Sequence, residues 1–172
     1  MQCTHCHNAD VALTSVDGPF TPNLPGVVAD GLLHGVCGAC GETFLGVPKL
    51  AGLTALIVGR VLEKPWRLAP DEVRWLRLSM GLSGEGLAAT LGVTPSQLSR
   101  WEHGAAPTSA LADRLLRMVA ASFHQVPAPD LRRIDGRRAE PLVLRVALKR
   151  GGWRVVASNA EPVAPQKGAR AA

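Results

Sequence analysis

The chain contains four cysteines, and they form two Cys-X-X-Cys pairs. Cys3 and Cys6 form the first pair, and Cys37 and Cys40 form the second. A turn of this spacing directs two thiolates to one side of the backbone, so two such turns together supply the four sulfur ligands that tetrahedral Zn²⁺ prefers. Because four thiolates leave no open coordination position, the pattern predicts a structural zinc ion rather than a catalytic one.

Other uses of these residues stay open. Two disulfides are disfavoured, because no secretory signal peptide is recognisable and disulfides are uncommon in a reducing compartment. A thioredoxin-like redox site needs one Cys-X-X-Cys at a strand–helix junction, and the presence of two pairs argues against it. His5, His7 and His34 could replace one ligand or orient a ligand by hydrogen bonding, although we interpret them as solvated neighbours.

The interval from Cys6 to Cys37 is longer than the roughly 15 to 20 residues of the usual paired pattern. We therefore expect the intervening segment to fold back as a small, loop-rich excursion. Its turn-forming residues are Gly18, Pro19, Pro22, Pro25 and Gly26. Gly38 lies within the second pair and Gly41 directly follows it, where the backbone approaches the metal closely.

The composition, 47% hydrophobic over 172 residues, indicates a soluble globular chain of one or two small domains. No apolar run is long enough to span a bilayer, so we expect a cytoplasmic, nucleoid-associated protein with no membrane partner. The formal net charge is +5, and residues 130–172 carry ten basic and four acidic side chains. That basic surplus could contact phosphates or simply solvate a tail.

Two helices are predicted ahead of the central motif. Apolar residues recur at helical intervals from Val47 to Leu62, and Pro48 suits a first turn, which predicts a packing helix. A second helix is predicted from Asp71 to Met80, because its first turn carries acidic residues, which interact favourably with the positive end of the helix dipole.

Two short helices are then predicted on either side of a tight turn. Ser83 can cap the first helix, which ends near Leu91. The second begins at Thr94, with a proline in its first turn and Gln97 as capping-box partner, and it ends at Gly104.

The packing of these two helices follows from four positions. Ala88 is small enough to let the helix axes approach, Gly92 takes a positive φ, and Leu98 and Trp101 fill the angle between the helices. A further helix is expected from about Ser109. It should close the core through Leu111, Leu115, Met118 and Val119. This arrangement predicts a DNA-reading helix-turn-helix, although a helical bundle without a DNA role could contain the same helices.

The exposed side of the helix that begins at Thr94 separates those two interpretations. Short or hydrogen-bonding groups near a helix N-terminus reach base edges in a major groove. The residues expected to do so are Ser96, Gln97, Ser99 and Arg100. Ser83 and Thr94 lie at helix starts, where amides and hydroxyls can hold phosphate.

Two of these residues have alternative roles that stay open. Gln97 could serve only the capping box. Arg100 could form a surface ion pair with Glu102 or Glu85 instead of contacting guanine.

Residues 80–104, MGLSGEGLAATLGVTPSQLSRWEHG, resemble the Cro/Xre-type helix-turn-helix. The two Cys-X-X-Cys pairs ahead of them resemble the zinc-binding antitoxins of the MqsA/YgiT type, and the likeness covers roughly residues 1–121. It implies that the zinc domain contacts a partner toxin, an RNA-cleaving enzyme. It also implies that the C-terminal domain forms a homodimer and represses its own operon at a palindrome.

The same resemblance assigns residues. It implies that the four cysteines are the zinc ligands and that Ser96 and Arg100 occupy base-reading positions, with Ser96 where the antitoxins tend to have asparagine. The segment Ser83-Gly-Glu-Gly86 lacks the glutamine that often braces a phosphate, and its two glycines cost about 2 kcal/mol of helix propensity. The chain also continues for some fifty residues beyond the fourth helix, which the short antitoxins lack.

The extension beyond the fourth helix is predicted to form a β-hairpin. Apolar residues alternate from Leu142 to Leu148, residues 149–152 make a turn, and a second strand follows from Trp153 to Ala157. A lone hairpin is marginal in water, so it should pack on the core, pair with a second copy or receive a partner. Four arginines precede it and could bind the minor groove or phosphates, or form a solvated loop. They are Arg132, Arg133, Arg137 and Arg138.

The predicted fold is mainly α with small zinc-ribbon β elements. Residues 1–64 are expected to form a zinc-binding domain with a linker helix, 65–124 the helix-turn-helix domain, 125–158 the basic segment and hairpin, and 159–172 a disordered tail. The expected function is that of a sequence-specific transcriptional regulator, a repressor binding a palindromic operator as a homodimer. The alternative is an antitoxin of a type II toxin–antitoxin pair. An enzyme is not expected, because no catalytic grouping has useful spacing.

Overall fold

The computed structural model describes residues 2–8 and 11–160 of the chain. By their contacts, these residues form two units. The first comprises residues up to 56 together with residues 143–158, and the second comprises residues 57–142 with those that follow 158. From residue 161 onward, the tail predicted to be disordered lies outside the described residues.

The described elements combine five helices with short and long strands, so the fold is mixed α/β. In chain order they are β1 (Val11–Pro19), β2 (Val27–Cys37), β3 (Thr43–Gly46), α1 (Leu50–Glu63), β4 (Trp66–Arg67), α2 (Pro70–Ser79), α3 (Gly84–Leu91), α4 (Pro95–Glu102), α5 (Ala110–His124), a 3-10 turn (Leu131–Arg133), β5 (Asp135–Ala139), β6 (Leu144–Lys149) and β7 (Gly152–Ser158). The predicted helices, N-terminal cysteine cluster and C-terminal hairpin are confirmed. No helix among the described residues is long and apolar enough to cross a membrane.

The first unit is built on a five-stranded sheet. Its order is β1–β2–β6–β7, and β3 also pairs with β2. β1 is antiparallel to β2 along most of its length. On the other edge of β2, residues 27–30 pair in parallel with β6, and residues 33–36 pair antiparallel with β3. Val27, Ala29, Leu144 and Val146 are fully buried in this sheet.

The segment between the cysteine pairs is a long β-hairpin, so the expectation of a loop-rich excursion is wrong. Pro22, Pro25 and Gly26 lie in its turn, whereas Gly18 and Pro19 lie in β1. Most side chains of β1 are exposed on both faces of the strand. The sequence of β1 therefore lacks the apolar alternation by which a half-buried strand is recognised.

The C-terminal hairpin formed by β6 and β7 joins this same sheet. β6 and β7 pair antiparallel, and β6 pairs in parallel with β2. The hairpin therefore packs on the core, the first of the three fates expected for it. The indole N–H of Trp153 in β7 donates to the carbonyl oxygen of Pro48 at 2.7 Å.

The second unit contains the predicted helix-turn-helix. Ser83, Thr94 and Ser109 precede α3, α4 and α5. In each case the side-chain oxygen accepts a hydrogen bond from the backbone N–H three residues later, which satisfies a donor left unpaired at a helix start. Ala88, Leu98 and Trp101 are buried, as predicted, and Leu87 is buried beside them.

Helix α5 packs with a different face from the predicted one. Leu111, Leu115 and Met118 are exposed, so the prediction that they close the core is wrong. The buried positions of α5 are Ala112, Asp113, Leu116, Arg117, Ala120 and Ala121.

A buried ion pair explains why this face of α5 packs inward. The Nε of Arg117 donates to Asp113 Oδ1 at 2.8 Å, and the two Nη atoms donate to carbonyl oxygens of Leu62, Lys64 and Trp66. These carbonyl groups belong to the last turn of α1, the connection after it and the start of β4. The charged pair therefore faces inward together with Leu116, and Leu111 and Leu115 lie on the opposite, exposed side.

Candidate metal centre and candidate nucleic-acid interface

The four cysteines come together in the first unit. Their sulfur atoms all lie within 4.8 Å of one another. The Sγ atoms of Cys3 and Cys40 are 3.7 Å apart, and those of Cys6 and Cys37 are 3.6 Å apart. A tetrahedral zinc ion with bonds of about 2.3 Å separates its sulfur ligands by about 3.8 Å, whereas a disulfide requires about 2.05 Å. The cysteines are free, and their geometry fits a single metal ion.

The two cysteine turns have the same backbone structure. In the first, the N–H of His7 donates to the carbonyl oxygen of Cys3, and in the second the N–H of Gly41 donates to that of Cys37. His7 and Gly41 both have positive φ, at 59° and 72°. Gly41 adopts this conformation at little cost, whereas a histidine is uncommon there. The sequence contained no signal for the conformation of His7.

Electrostatics distinguish the thiol of Cys3 from that of Cys40. Hydrogen bonds from the backbone N–H groups of Cys6 and His5 lower the pKa of Cys3 to about 6. The backbone N–H of Glu42 lowers the pKa of Cys40, but hydrogen bonds with the neighbouring thiols and desolvation outweigh it and raise that pKa to about 12. A divalent ion favours the thiolate form of every ligand, so metal binding and proton release are coupled here.

The histidines near the cysteines take no part in this cluster. Among the described residues, the group of possible metal ligands consists of the four cysteines alone. His5 and His7 are exposed, and His34 is half-buried in β2. Their interpretation as neighbours, rather than ligands, agrees with this arrangement.

Helix α4 is positioned by its start, its buried side and an ion pair. Thr94 and Gln97 form the predicted capping box, in which Gln97 Oε1 accepts from the Thr94 N–H at 3.0 Å. Leu98 and Trp101 are buried. Gly92 ends α3 with φ 66°, which the tight turn between α3 and α4 requires.

A bidentate ion pair braces α4 against α2. Arg77 donates from Nε and Nη2 to the two carboxylate oxygens of Glu102 at 2.7 and 2.9 Å, and from Nη1 to the carbonyl oxygen of Leu82 at 3.1 Å. These bonds are largely shielded from water, so they hold α4 at one angle to α2 more firmly than an exposed pair would. The sequence did not identify this pair.

All six residues predicted to contact DNA are exposed to solvent. Ser96, Ser99 and Arg100 are exposed on α4, away from its buried side. Gln97 is also exposed, but its side-chain oxygen already serves the capping box. The hydroxyl groups of Ser83 and Thr94 act as helix caps beside unpaired amides at the starts of α3 and α4.

Arg100 has no ion-pair partner among the described residues. The alternative pairing with Glu102 is not formed, because Glu102 binds Arg77. The guanidinium of Arg100 is therefore exposed and available to another acceptor.

Sequence reasoning missed His103 as a member of the same face. His103 is exposed, and its spacing from Ser96 and Arg100 places all three on one side of the helix axis. Its Nδ1 lies 2.8 Å from the carbonyl oxygen of Ser99, so Nδ1 is the donor and Nε2 is left free to meet a ligand. The spacing of seven residues from Ser96 was the available signal.

The arginines before the C-terminal hairpin have acidic neighbours. Arg132 and Arg133 pair with Asp130, while Arg138 pairs with Glu140 and lies over the Trp66 ring. The side chain of Arg137 lies outside the described residues. Neutralised in this way, the three described arginines contribute less attraction to phosphate than their number implies.

Comparison with known families supports the helical part of this arrangement. Residues 73–119, just over a quarter of the chain, match the sequence model of the Helix-turn-helix family. No curated protein and no solved structure matches the chain. The matched residues run from the first turn of α2 into α5 and include the whole of α3 and α4. The chain carries a helix-turn-helix domain of the Cro/Xre type.

Proposed function

We propose that this chain is a sequence-specific transcriptional regulator that represses by binding a palindromic operator as a homodimer in the cytoplasm, without enzymatic activity. The observation that carries the proposal is the exposed face of α4 within a domain matched by the helix-turn-helix family. This face presents the unpaired guanidinium of Arg100 together with hydroxyl groups near the N-terminus of α4. The Arg77–Glu102 ion pair holds that helix in place.

The residues of that face have distinct roles in the proposal. Arg100 contacts the O6 and N7 acceptors of guanine, and Ser96 and Ser99 contact neighbouring base edges. Ser83 and Thr94 hold phosphate at the starts of α3 and α4, where unpaired amides favour an anion. Gln97 orients α4 through the capping box, and its amide nitrogen can donate to DNA.

Arg100→Ala tests the recognition role. We expect it to cost about 1–3 kcal/mol of operator binding and to relax base preference at one position, because a bidentate guanine contact is lost. The measurement is fluorescence anisotropy with the best duplex from a random-oligonucleotide selection. Arg154→Ala, which removes an exposed arginine from β7, is the control for net charge. Equal losses in both variants, or none in either, would contradict the recognition role.

We further propose that the cysteine cluster holds a structural Zn²⁺. Four cysteine sulfur atoms within 4.8 Å of one another, with two separations of 3.6 and 3.7 Å, support it, and no fifth ligand or open position is required. The bound ion would join the turn before β1 to the turn after β2, which otherwise are connected only through that hairpin.

Cys37→Ser tests the zinc site. We expect zinc content to fall from one ion per chain and the thermal transition of the first unit to drop, because metal binding and folding are linked. The helices α2–α5 should keep their stability, since their core lies in the other unit. His34→Asn is the matched control, and an unchanged zinc content in Cys37→Ser would contradict a four-thiolate site.

An antitoxin role is the second candidate. It is supported by the order of the parts, a cysteine cluster ahead of a helix-turn-helix domain. A neighbouring gene encoding a ribonuclease-like protein whose toxicity this chain suppresses on co-expression would favour it. Suppression that persists in Arg100→Ala would show that neutralisation and DNA binding are separate.

A further inference from the structure

The helix-turn-helix unit contains a pocket beside the C-terminal end of α4. Its volume is about 240 Å³, and every described residue that lines it falls within residues 57–142. The end of β4, the start of α2, the end of α4 with the loop that follows it, and the last residue of β5 all contribute to the wall. The pocket therefore belongs to the DNA-reading domain and not to the unit that holds the cysteines.

Most of the pocket wall is apolar. Its apolar members are Leu68, Pro70, Trp101, Ala106, Pro107 and Ala139. Among the described residues of the wall, the polar side chains are those of Arg67 and Thr108, and no acidic residue is present. An apolar wall with a few polar groups is the usual composition of a site for an organic ligand.

Arg67 supplies a hydrogen-bond donor that lacks an acceptor. Its Nε is buried and has no hydrogen-bond partner in the described part of the chain, and the ion pairs formed there do not include Arg67. Its Nη2 donates to the carbonyl oxygen of Gly136, which holds the guanidinium in place. Because a buried donor without an acceptor is unfavourable, the pocket favours a ligand that brings an oxygen acceptor.

The volume and the charge of the pocket indicate the class of ligand. A cavity of about 150 Å³ holds benzene, so this pocket has room for one ring with a small substituent. The guanidinium of Arg67 favours a single negative charge, and a carboxylate matches a guanidinium well as an acceptor. A phosphate dianion would need more donors than one guanidinium and one hydroxyl group provide in an apolar pocket.

We propose that this pocket binds a small organic carboxylate, which accepts a hydrogen bond from Arg67 Nε and packs its apolar body against Trp101 and Pro107. The hydroxyl group of Thr108 is the second donor available to the carboxylate. Binding requires no DNA, so this inference goes beyond the proposed function and does not depend on it.

The loop after α4 offers a matched pair of positions for testing the pocket. The backbone N–H groups of Ala105 and Ala106 both donate to the carbonyl oxygen of Arg100, at 2.8 and 3.2 Å. Ala106 lines the pocket, whereas Ala105 is exposed and is not part of the wall. A larger side chain at either position keeps these backbone hydrogen bonds, but only the one at Ala106 fills the pocket.

Two-dimensional NMR of the isotope-labelled, zinc-loaded full chain, titrated with sodium benzoate at constant ionic strength, tests the site. We expect saturable shifts of the Trp101 indole N–H and the Thr108 amide, with a dissociation constant of about 1 mM or below. Benzyl alcohol keeps the ring without the charge and should bind about tenfold more weakly or less. Inorganic phosphate should also bind more weakly than benzoate.

Two substitutions then separate the pocket from its charge. Ala106→Leu should raise the dissociation constant of benzoate about tenfold or more, because the leucine occupies the pocket, and Ala105→Leu should leave that constant unchanged. Arg67→Met should lower the affinity for benzoate to that for benzyl alcohol and leave the affinity for benzyl alcohol unchanged. If Arg67→Met fails to fold, the two leucine variants and the two ring compounds still decide the proposal.

Three results would overturn the proposal. The first is the absence of saturable shifts at about 10 mM benzoate, tenfold above the expected constant. The second is equal affinity for benzoate and benzyl alcohol, or tighter binding of phosphate, because either would remove the organic carboxylate as the ligand class. The third is an equal effect of Ala106→Leu and Ala105→Leu. Failure of the proposed function looks different, since a chain that prefers no DNA sequence would still bind benzoate.

Discussion

Glu72 organises three segments of the helix-turn-helix unit from a buried position. Its carboxylate accepts from Lys64 Nζ and from the backbone N–H groups of Ala69 and Leu142, the latter two at 2.7 Å. Burial raises the pKa of Glu72 and lowers that of Lys64, and each charge opposes the shift of the other. Removing one partner of such a pair typically costs about 3–5 kcal/mol, because the remaining charge is buried alone.

His124 makes the stability of the same unit depend on pH. Its Nε2 lies 2.9 Å from the Ser79 hydroxyl, and burial lowers the pKa of His124 below its usual 6.5. The unfolded chain therefore binds this proton more readily than the folded chain does. Stability is complete above pH 6.5 and falls as the pH drops from 6.5 toward the folded-state pKa.

His124→Gln should flatten that pH dependence. We expect the free energy of unfolding of the wild type to fall relative to that of the variant on acidification below pH 6.5, since glutamine carries no titrating proton. Urea unfolding, followed by circular dichroism at several pH values, measures it. His103→Gln, which removes an exposed histidine of the same unit, is the matched control. Parallel slopes for wild type and His124→Gln would refute this assignment.

At the scale of the element, α3 is the weakest part of the recognition motif. It has eight residues and begins with two glycines separated by one residue. A Cβ added at Gly84 meets nothing within 4 Å, whereas one at Gly86 meets the Ser83 hydroxyl oxygen at 3.2 Å. Neither glycine has the positive φ that would demand glycine.

Gly84→Ala should therefore stabilise the helix-turn-helix unit by about 0.5 kcal/mol, because alanine restricts the unfolded chain without strain in the folded one. Gly86→Ala is the matched control. It should gain less, because its methyl group crowds the capping hydroxyl of Ser83. Thermal unfolding by calorimetry would detect both changes. A larger gain from Gly86→Ala would show that α3 is not limited by helix propensity.

The sequence predicted the start of α4 but not the buried face of α5, and the difference has a physical reason. The start of α4 was predicted to the residue, because Thr94 and Gln97 act on backbone groups three residues away. α5 has apolar side chains around most of its surface, so periodicity could not identify the buried face. Asp113 and Arg117 determine which face of α5 is buried. Judged by residue type alone, this charged pair would be expected at the surface.

At the scale of the whole molecule, the helix-turn-helix unit is inserted between two parts of the first unit. Residues 57–142 separate β2 and β3 from β6, yet β6 pairs in parallel with β2. The first unit is therefore incomplete until the chain after residue 142 has joined it. The sequence predicted that residues 125–158 and residues 1–64 form separate regions. Whether the two fold independently of each other remains a prediction.

Truncation after Leu142 tests these boundaries. We expect a lower unfolding temperature for the first unit and faster hydrogen exchange in β2, because Val27 and Ala29 lose the strand that pairs with them. Exchange in α2–α5 should be unchanged, since Glu72 keeps its bond to Leu142. Truncation after residue 160 is the control, and mass spectrometry of exchanged peptides measures both. Unchanged exchange in β2 would favour a hairpin that folds apart from residues 1–64.

The sequence by itself determined the cysteine turns, the caps of α3 and α4 and the glycine turn between them. These features depend on groups a few residues apart, and short-range chemistry suffices for them. Only the tertiary structure decided that β6 pairs with β2, that Arg77 rather than Arg100 binds Glu102, and that α5 leaves Leu111 and Leu115 exposed to solvent. Those outcomes depend on partners distant in the chain, and competition among many alternative contacts selects them.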